Sequence, residues 1–154
     1  MEGFSTADTA SILGRNETEI STLMRTALDE ITHQPTTRVL IIEDEPIISL
    51  DLQSIVREMG HRVVAVATTR DEAVNAARRT EPGLVLADIK LADGSSGIDA
   101  VRQILSELTV PIVFITAYPE RLLTGERPEP TFLVTKPFVP ETVRVAVSQA
   151  LLFA

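Results

Sequence analysis

The 154-residue chain has no cysteine and no tryptophan, a single tyrosine, and fewer basic than acidic side chains. Each shortage removes a class of function. Without cysteine there is no disulfide scaffold, no thiolate zinc or iron–sulfur site and no thiol nucleophile. Aromatics make up 4% of the chain, too few for a platform on which nucleic-acid bases stack. The balance of 14 Lys+Arg against 22 Asp+Glu leaves −8, which repels a phosphate backbone and disfavours general nucleic-acid affinity. No apolar run approaches the ~20 residues that a membrane-spanning helix needs. The opening Met1-Glu2-Gly3-Phe4-Ser5-Thr6 lacks the basic and apolar regions of a signal peptide. No membrane partner and a cytoplasmic location are therefore expected. What is present, 44% hydrophobic and 23% charged residues, is the composition of a globular protein with one ordinary core.

The chain divides at a polar break, His33-Gln34-Pro35-Thr36-Thr37. Before it, two helices are expected. Ser5 with Asp8 and Asn16 with Glu19 have the spacing of capping boxes, and Gly14 supplies the turn between them. The second helix, from about Glu17 to Ile31, carries Ile20, Leu23, Met24, Ala27, Leu28 and Ile31 on one continuous apolar stripe. After the break, strands and helices alternate. Strands are expected over 39–42, 62–67, 84–87, 110–115 and 131–134, and helices over 47–59, 70–80, 98–108 and 141–152. Pro119, Gly125, Pro128 and Pro130 leave little or no helix between the fourth and fifth strands. Alternation with short connections predicts an α/β fold, a parallel sheet covered on both faces.

Ligands in such sheets bind outside the carboxyl ends of the strands. There the sequence places Glu43-Asp44-Glu45, Asp88, Thr116-Ala117 and Thr135-Lys136-Pro137-Phe138. Taken singly, each has a plain reading as a helix cap, a polar turn or a surface lysine. Together they bring carboxylates, a hydroxyl and an ammonium to one edge. That set suits metal-assisted phosphoryl transfer: a hard cation such as Mg²⁺ takes oxygen ligands, a carboxylate attacks phosphorus, and cation and lysine neutralise the phosphoryl oxygens.

Residues 38–154 resemble the receiver domain of bacterial two-component response regulators. The motifs are Ile42-Glu43-Asp44-Glu45-Pro46, Leu86-Ala87-Asp88-Ile89-Lys90-Leu91, the Gly94…Gly97 loop, Phe114-Ile115-Thr116-Ala117 and Lys136-Pro137-Phe138. The resemblance implies a five-stranded, CheY-like (βα)5 fold of the flavodoxin type. It implies Asp88 as phosphoacceptor, with Asp44, the backbone carbonyl of Lys90 and Asp88 around Mg²⁺ and Glu43 helping through water. It also implies Thr116 as switch hydroxyl, Lys136 as phosphoryl-binding lysine, and a cis Lys136–Pro137 bond. Its partner would be a sensor histidine kinase or phosphotransfer protein. Many receivers carry an aromatic three residues before the lysine; here that residue is Leu133. The chain looks like receivers with a modified fourth-strand signature, in which Tyr118 would carry part of the switching role.

Residues 3–28 resemble the last helix-turn-helix of extracytoplasmic-function sigma factors, through Gly3-Phe4-Ser5, Ala10-Ser11-Ile12-Leu13-Gly14 and Glu19-Ile20-Ser21-Thr22-Leu23. Residues 1–36 hold Arg15 and Arg25 against Glu2, Asp8, Glu17, Glu19, Asp29 and Glu30, a balance of −4. A DNA-reading helix needs basic and amide side chains, so this segment is not expected to bind DNA. A sigma-like segment followed by a receiver is similar to the PhyR family of alphaproteobacterial general-stress-response regulators. In that family the sigma-like part binds an anti-sigma factor, NepR, so the regulator is an anti-anti-sigma factor. Only the end of the sigma-like domain is matched, so the chain reads as a truncated form: helical remnant 1–34, linker 35–37, receiver 38–154. A remnant of that size has too little core to stand alone and should pack on the receiver, a partner or a second copy, a homodimer included. The competing readings are a stand-alone receiver in a phosphorelay, an aspartyl-phosphate phosphohydrolase and a DNA-binding regulator. Phosphohydrolases of this kind carry a second acid two residues after the nucleophile, where this chain has Lys90. A non-enzymatic switch is the expectation.

Overall fold

A computed structural model of the protein describes residues 35–122 and 131–153. The two helices expected within 1–34 lie outside the described residues. The strands are β1 (Arg38–Ile42), β2 (Arg62–Ala67), β3 (Leu84–Ala87), β4 (Ile112–Thr116) and β5 (Thr131–Thr135). The helices among the described residues are α1 (Pro46–Glu58), α2 (Arg70–Thr80), α3 (Gly97–Leu105) and α4 (Pro140–Leu152). All strand pairs are parallel, in the order β2-β1-β3-β4-β5.

The strands carry near-continuous apolar runs because both faces are covered. Successive residues point to opposite faces, and the central strands β1, β3 and β4 each feed two cores. Leu40, Ile42, Val85, Ala87, Ile112 and Phe114 pack with Ala73, Val74 and Ala77 of α2 and with Ala100, Val101 and Ile104 of α3. Val39, Ile41, Leu84, Leu86, Val113 and Ile115 pack on the other face with Leu52, Ile55 and Val56 of α1 and with Val143 and Val147 of α4.

Local chemistry sets the helix ends. Pro46 and Pro140 occupy first-turn positions, where a missing N–H costs nothing. The Thr69 hydroxyl accepts from the Glu72 N–H, and the Ser96 hydroxyl accepts from the Ile98 N–H. α3 stops at Leu105, short of the expected Leu108. The Ser106 hydroxyl donates to the Gln103 carbonyl, and the Glu107 and Leu108 N–H groups both turn back to Ile104. β4 begins at Ile112 instead of Val110: Pro111 has no N–H to give, and its carbonyl accepts from Val85. Between β4 and residue 122 there is only a 3₁₀ turn, Pro119–Leu122.

In the order 2-1-3-4-5, the direction in which successive strands are added reverses between β1 and β3, so a crevice opens at their carboxyl ends. The loop from β3 to α3 is tied down there. The Gly97 N–H donates to the Ile89 carbonyl at 2.6 Å, and the Ala92 N–H reaches Thr68 after β2 at 3.1 Å. A Cβ on Gly97 would lie 1.7 Å from the Asp88 carbonyl oxygen and 2.8 Å from its carbon. These are backbone atoms, so the neighbour cannot swing aside. Gly97→Ala should therefore destabilise the fold by about 3 kcal/mol, measured by urea unfolding; an unchanged midpoint would contradict this packing.

Candidate functional site

β1, β3, β4 and β5 deliver their last residues to the crevice. Asp88 follows β3, and its N–H donates to the Ile42 carbonyl at 2.8 Å, which continues the ladder and fixes the residue. One carboxylate oxygen, Oδ1, accepts from the Ile89 N–H at 2.7 Å. The other, Oδ2, accepts from Lys136 Nζ at 3.0 Å. Lys136 follows β5, and its backbone N–H donates to the Thr116 carbonyl at 2.9 Å. The Lys136–Pro137 bond is cis, as expected.

Lys136 Nζ also donates to Glu43 Oε1 at 2.6 Å and lies 3.8 Å from Glu45 Oε1. Its side chain is 9% exposed, that of Glu43 1% and that of Asp88 7%. Burying one of these carboxylates alone would be costly, so the ammonium and carboxylates must be placed together. Burial, with the Asp88 charge adding to it, raises the Glu43 carboxyl to about 7, although its hydrogen bond to Lys136 opposes the shift. Burial also pulls Lys136 down, but the hydrogen bonds to Glu43 and Asp88 outweigh it and hold the ammonium above its ordinary value.

Outside this pair of acids lies a cavity of about 380 Å³ whose walls include Asp44, Glu45, Asp88, Lys90, Tyr118 and Lys136. Both lysines of the chain are thus at one cavity. Tyr118 stands at its wall with Lys90 Nζ and Arg121 Cζ each 5.4 Å from the ring centroid, within cation–π range. Thr116 is fully buried behind the cavity, and its hydroxyl accepts from the Tyr118 N–H at 3.0 Å. The residues singled out in the sequence (Glu43, Asp44, Asp88, Lys90, Thr116, Tyr118, Lys136 and Pro137) all come to this one edge.

Carboxylate oxygens of Glu43, Glu45 and Asp88 lie within 4.8 Å of one another. An all-oxygen donor set on a cavity with room for waters fits a hard divalent cation such as Mg²⁺. The sequence places Glu45 at this edge, but the receiver resemblance gives it no part in holding the cation. Glu45 is the N-cap residue of α1, yet its side chain caps nothing. Its N–H donates to Glu43 Oε2 at 3.3 Å, and its carboxylate is left facing Lys136. The signal available was its place in the acidic run Glu43-Asp44-Glu45 at the carboxyl end of β1.

The raised Glu43 carboxyl carries a pH signature. The folded chain takes up this proton at about 7 and the unfolded chain only at 4.5. Glu43 therefore costs stability above about pH 7, and the cost is relieved as pH falls toward 4.5. In metal-free buffer, wild-type stability relative to Glu43→Gln should rise by on the order of 2 kcal/mol between about pH 8 and about pH 5. Urea unfolding across that range checks it; a flat or falling difference would overturn it.

Comparison with known proteins agrees with this geometry. The response regulator receiver domain family matches residues 39–148, and the sigma-like domain of the response regulator PhyR matches residues 1–34. The phyllosphere-induced regulator PhyR of Methylorubrum extorquens is 53% identical over 99% of this chain and 58% of its own length. The solution structure of the Erythrobacter litoralis PhyR receiver domain is 64% identical, with a TM-score of 0.73 over 77% of this chain and 92% of that one. The Bartonella quintana anti-anti-sigma factor PhyR, solved in complex with the anti-sigma factor NepR, is 52% identical, with a TM-score of 0.63 over 99% of this chain and 63% of that one. The chain spans less than two thirds of the length of the full PhyR proteins it matches. It belongs to the response regulator receiver domain family, and it resembles PhyR over nearly its whole length.

Proposed function

We propose that the chain is a phosphorylation-dependent switch, with a sigma-like segment over 1–34, a linker over 35–37 and a receiver over 38–154. Asp88 accepts a phosphoryl group from phosphohistidine of a sensor kinase or phosphotransfer protein. An Asp88 carboxylate oxygen attacks phosphorus, an O–P bond forms as the N–P bond breaks, and the histidine leaves neutral once it takes a proton. The observation that carries this reading is the Asp88 carboxylate at the switch point of the sheet, 3.0 Å from a buried ammonium and on the wall of an acid-lined cavity.

The roles follow from position. Asp44, Asp88 and the Lys90 carbonyl would hold Mg²⁺, with Glu43 acting through water and Glu45 adding its carboxylate nearby. Bound there, Mg²⁺ supplies charge neutralisation at the phosphoryl oxygens. Lys136 is already in contact with Asp88 Oδ2 and passes from carboxylate to phosphoryl oxygen as charge builds. The Thr116 hydroxyl exchanges the Tyr118 N–H for a phosphoryl oxygen, which shifts Tyr118 and its stack with Lys90 and Arg121. Slow hydrolysis of the aspartyl phosphate resets the switch, which turns over no substrate as an enzyme does. By analogy with the complex of the Bartonella relative, the output is sequestration of an anti-sigma factor, and the setting is the cytoplasm.

Incubation with acetyl phosphate and Mg²⁺, followed by intact-mass measurement, should give one phosphate adduct on the wild type and none on Asp88→Ala. No adduct, or an equal one on the variant, would sink the assignment. For the output, phosphorylation should increase capture of an anti-sigma protein of the NepR type, and Tyr118→Ala should lose that increase while keeping the adduct. If Tyr118→Phe and Tyr118→Ala both respond as wild type, Tyr118 has no part in switching.

A further inference from the structure

A second concentration of charge, of opposite sign, sits at the other end of the strands. Arg38 and Arg62 open β1 and β2 and are direct partners across the two strands. Arg79 comes from the last turns of α2. With Val63, Val64 and Thr80, these three arginines line an open cavity of about 460 Å³.

Two features set this cluster apart from ordinary surface arginines. First, carboxylate pairing is available to arginines here: Arg78 reaches Glu107 at 2.7 Å, Arg144 reaches Glu58 at 3.0 Å and Arg70 reaches Asp71 at 3.4 Å, while Arg57 stands by itself without such a pair among the described residues. The guanidinium groups of Arg38, Arg62 and Arg79 have no ion pair or hydrogen bond among the described residues. A carboxylate is close at hand, since Glu72 shares the adjoining cavity with Arg79. It is taken instead by the Thr68 N–H and hydroxyl, at 2.9 and 3.0 Å. In a chain of net charge −8, three like charges lining one cavity with no carboxylate partner among the described residues are a local cost that an anion would remove. Second, the cavity wall contains a bulge. Register passes from Val39↔Val63 to Leu40↔Ala65, which leaves Val64 as the extra residue of the edge strand. Bulges at sheet edges re-aim neighbouring side chains and recur beside functional sites.

The geometry points to an oligophosphate-binding site formed by Arg38, Arg62 and Arg79, for a small anion with two or three linked phosphoryl groups. Guanidinium forks match phosphate oxygens two at a time, and three guanidinium charges exceed the about −1.5 to −2 that one phosphoryl group carries at neutral pH, so two or three linked groups balance them better. The volume suits a small ligand. A long polyanion such as DNA would run on past the arginines over the acidic remainder of the surface, whereas a small anion is screened from it within about 8–10 Å.

Titration of the full chain with sodium triphosphate, followed by calorimetry and by the amide resonances of residues 62–64 and 79–80, tests the site. Saturable binding is expected, weakened by about tenfold or more in Arg79→Ala and in the Arg38→Ala/Arg62→Ala double variant. Arg144→Ala, which removes the same charge elsewhere, should bind as wild type. Absence of saturable binding would overturn the proposal, as would equal weakening in Arg144→Ala or tighter binding of duplex DNA than of triphosphate. None of these readouts depends on phosphorylation of Asp88, so failure here leaves the switch reading untouched.

Discussion

Everything at the functional edge depends on one ammonium group. Lys136 Nζ is within hydrogen-bond reach of Glu43 and Asp88 and close to Glu45. Without it, two nearly buried carboxylates would face each other with no compensating charge, and the cost of an uncompensated buried charge is several kcal/mol. The sheet exists in a form that brings this lysine home. β5 lies beside β4, β4 beside β3 and β3 beside β1, so a residue 93 positions from Glu43 in the chain is delivered to it by strand register. The tight approach of Gly97 to the Asp88 backbone holds the third partner in place.

The same arrangement explains how a stable site can also be a responsive one. A lysine held by carboxylates is balanced, not satisfied for good: a doubly charged phosphoryl group on Asp88 or a divalent cation would redistribute its contacts. Thr116 and Tyr118 are linked by a single hydrogen bond, and Tyr118 is flanked by two cations. In the proposed switch, a change at the hydroxyl would reach the Tyr118 backbone N–H and, through it, the position of the ring.

Much of this was legible in the sequence, for identifiable reasons. Val39-Leu40-Ile41-Ile42 and Leu84-Val85-Leu86-Ala87 are too short for helices and apolar on both faces, which marks them as central parallel strands. The acids and the lysine stood out because each follows such a run. The parts that were not legible depend on hydrogen bonds that leave no periodic trace. The early end of α3 is made by the Ser106 hydroxyl. The late start of β4 follows from Pro111. The contribution of Glu45 follows from a cap position with no capping role. The arginine cavity is invisible in sequence because Arg38, Arg62 and Arg79 are far apart in the chain and meet only through β1–β2 pairing and the packing of α2.

The central claim is that the Lys136 ammonium makes the buried carboxylates tolerable, and stability measures it most directly. Urea unfolding of wild type and Lys136→Met at about pH 8 in metal-free buffer should show the variant less stable by about 2–4 kcal/mol, with part of the loss recovered on adding Mg²⁺. Equal stability of the two proteins, or a loss that Mg²⁺ leaves unchanged, would contradict it.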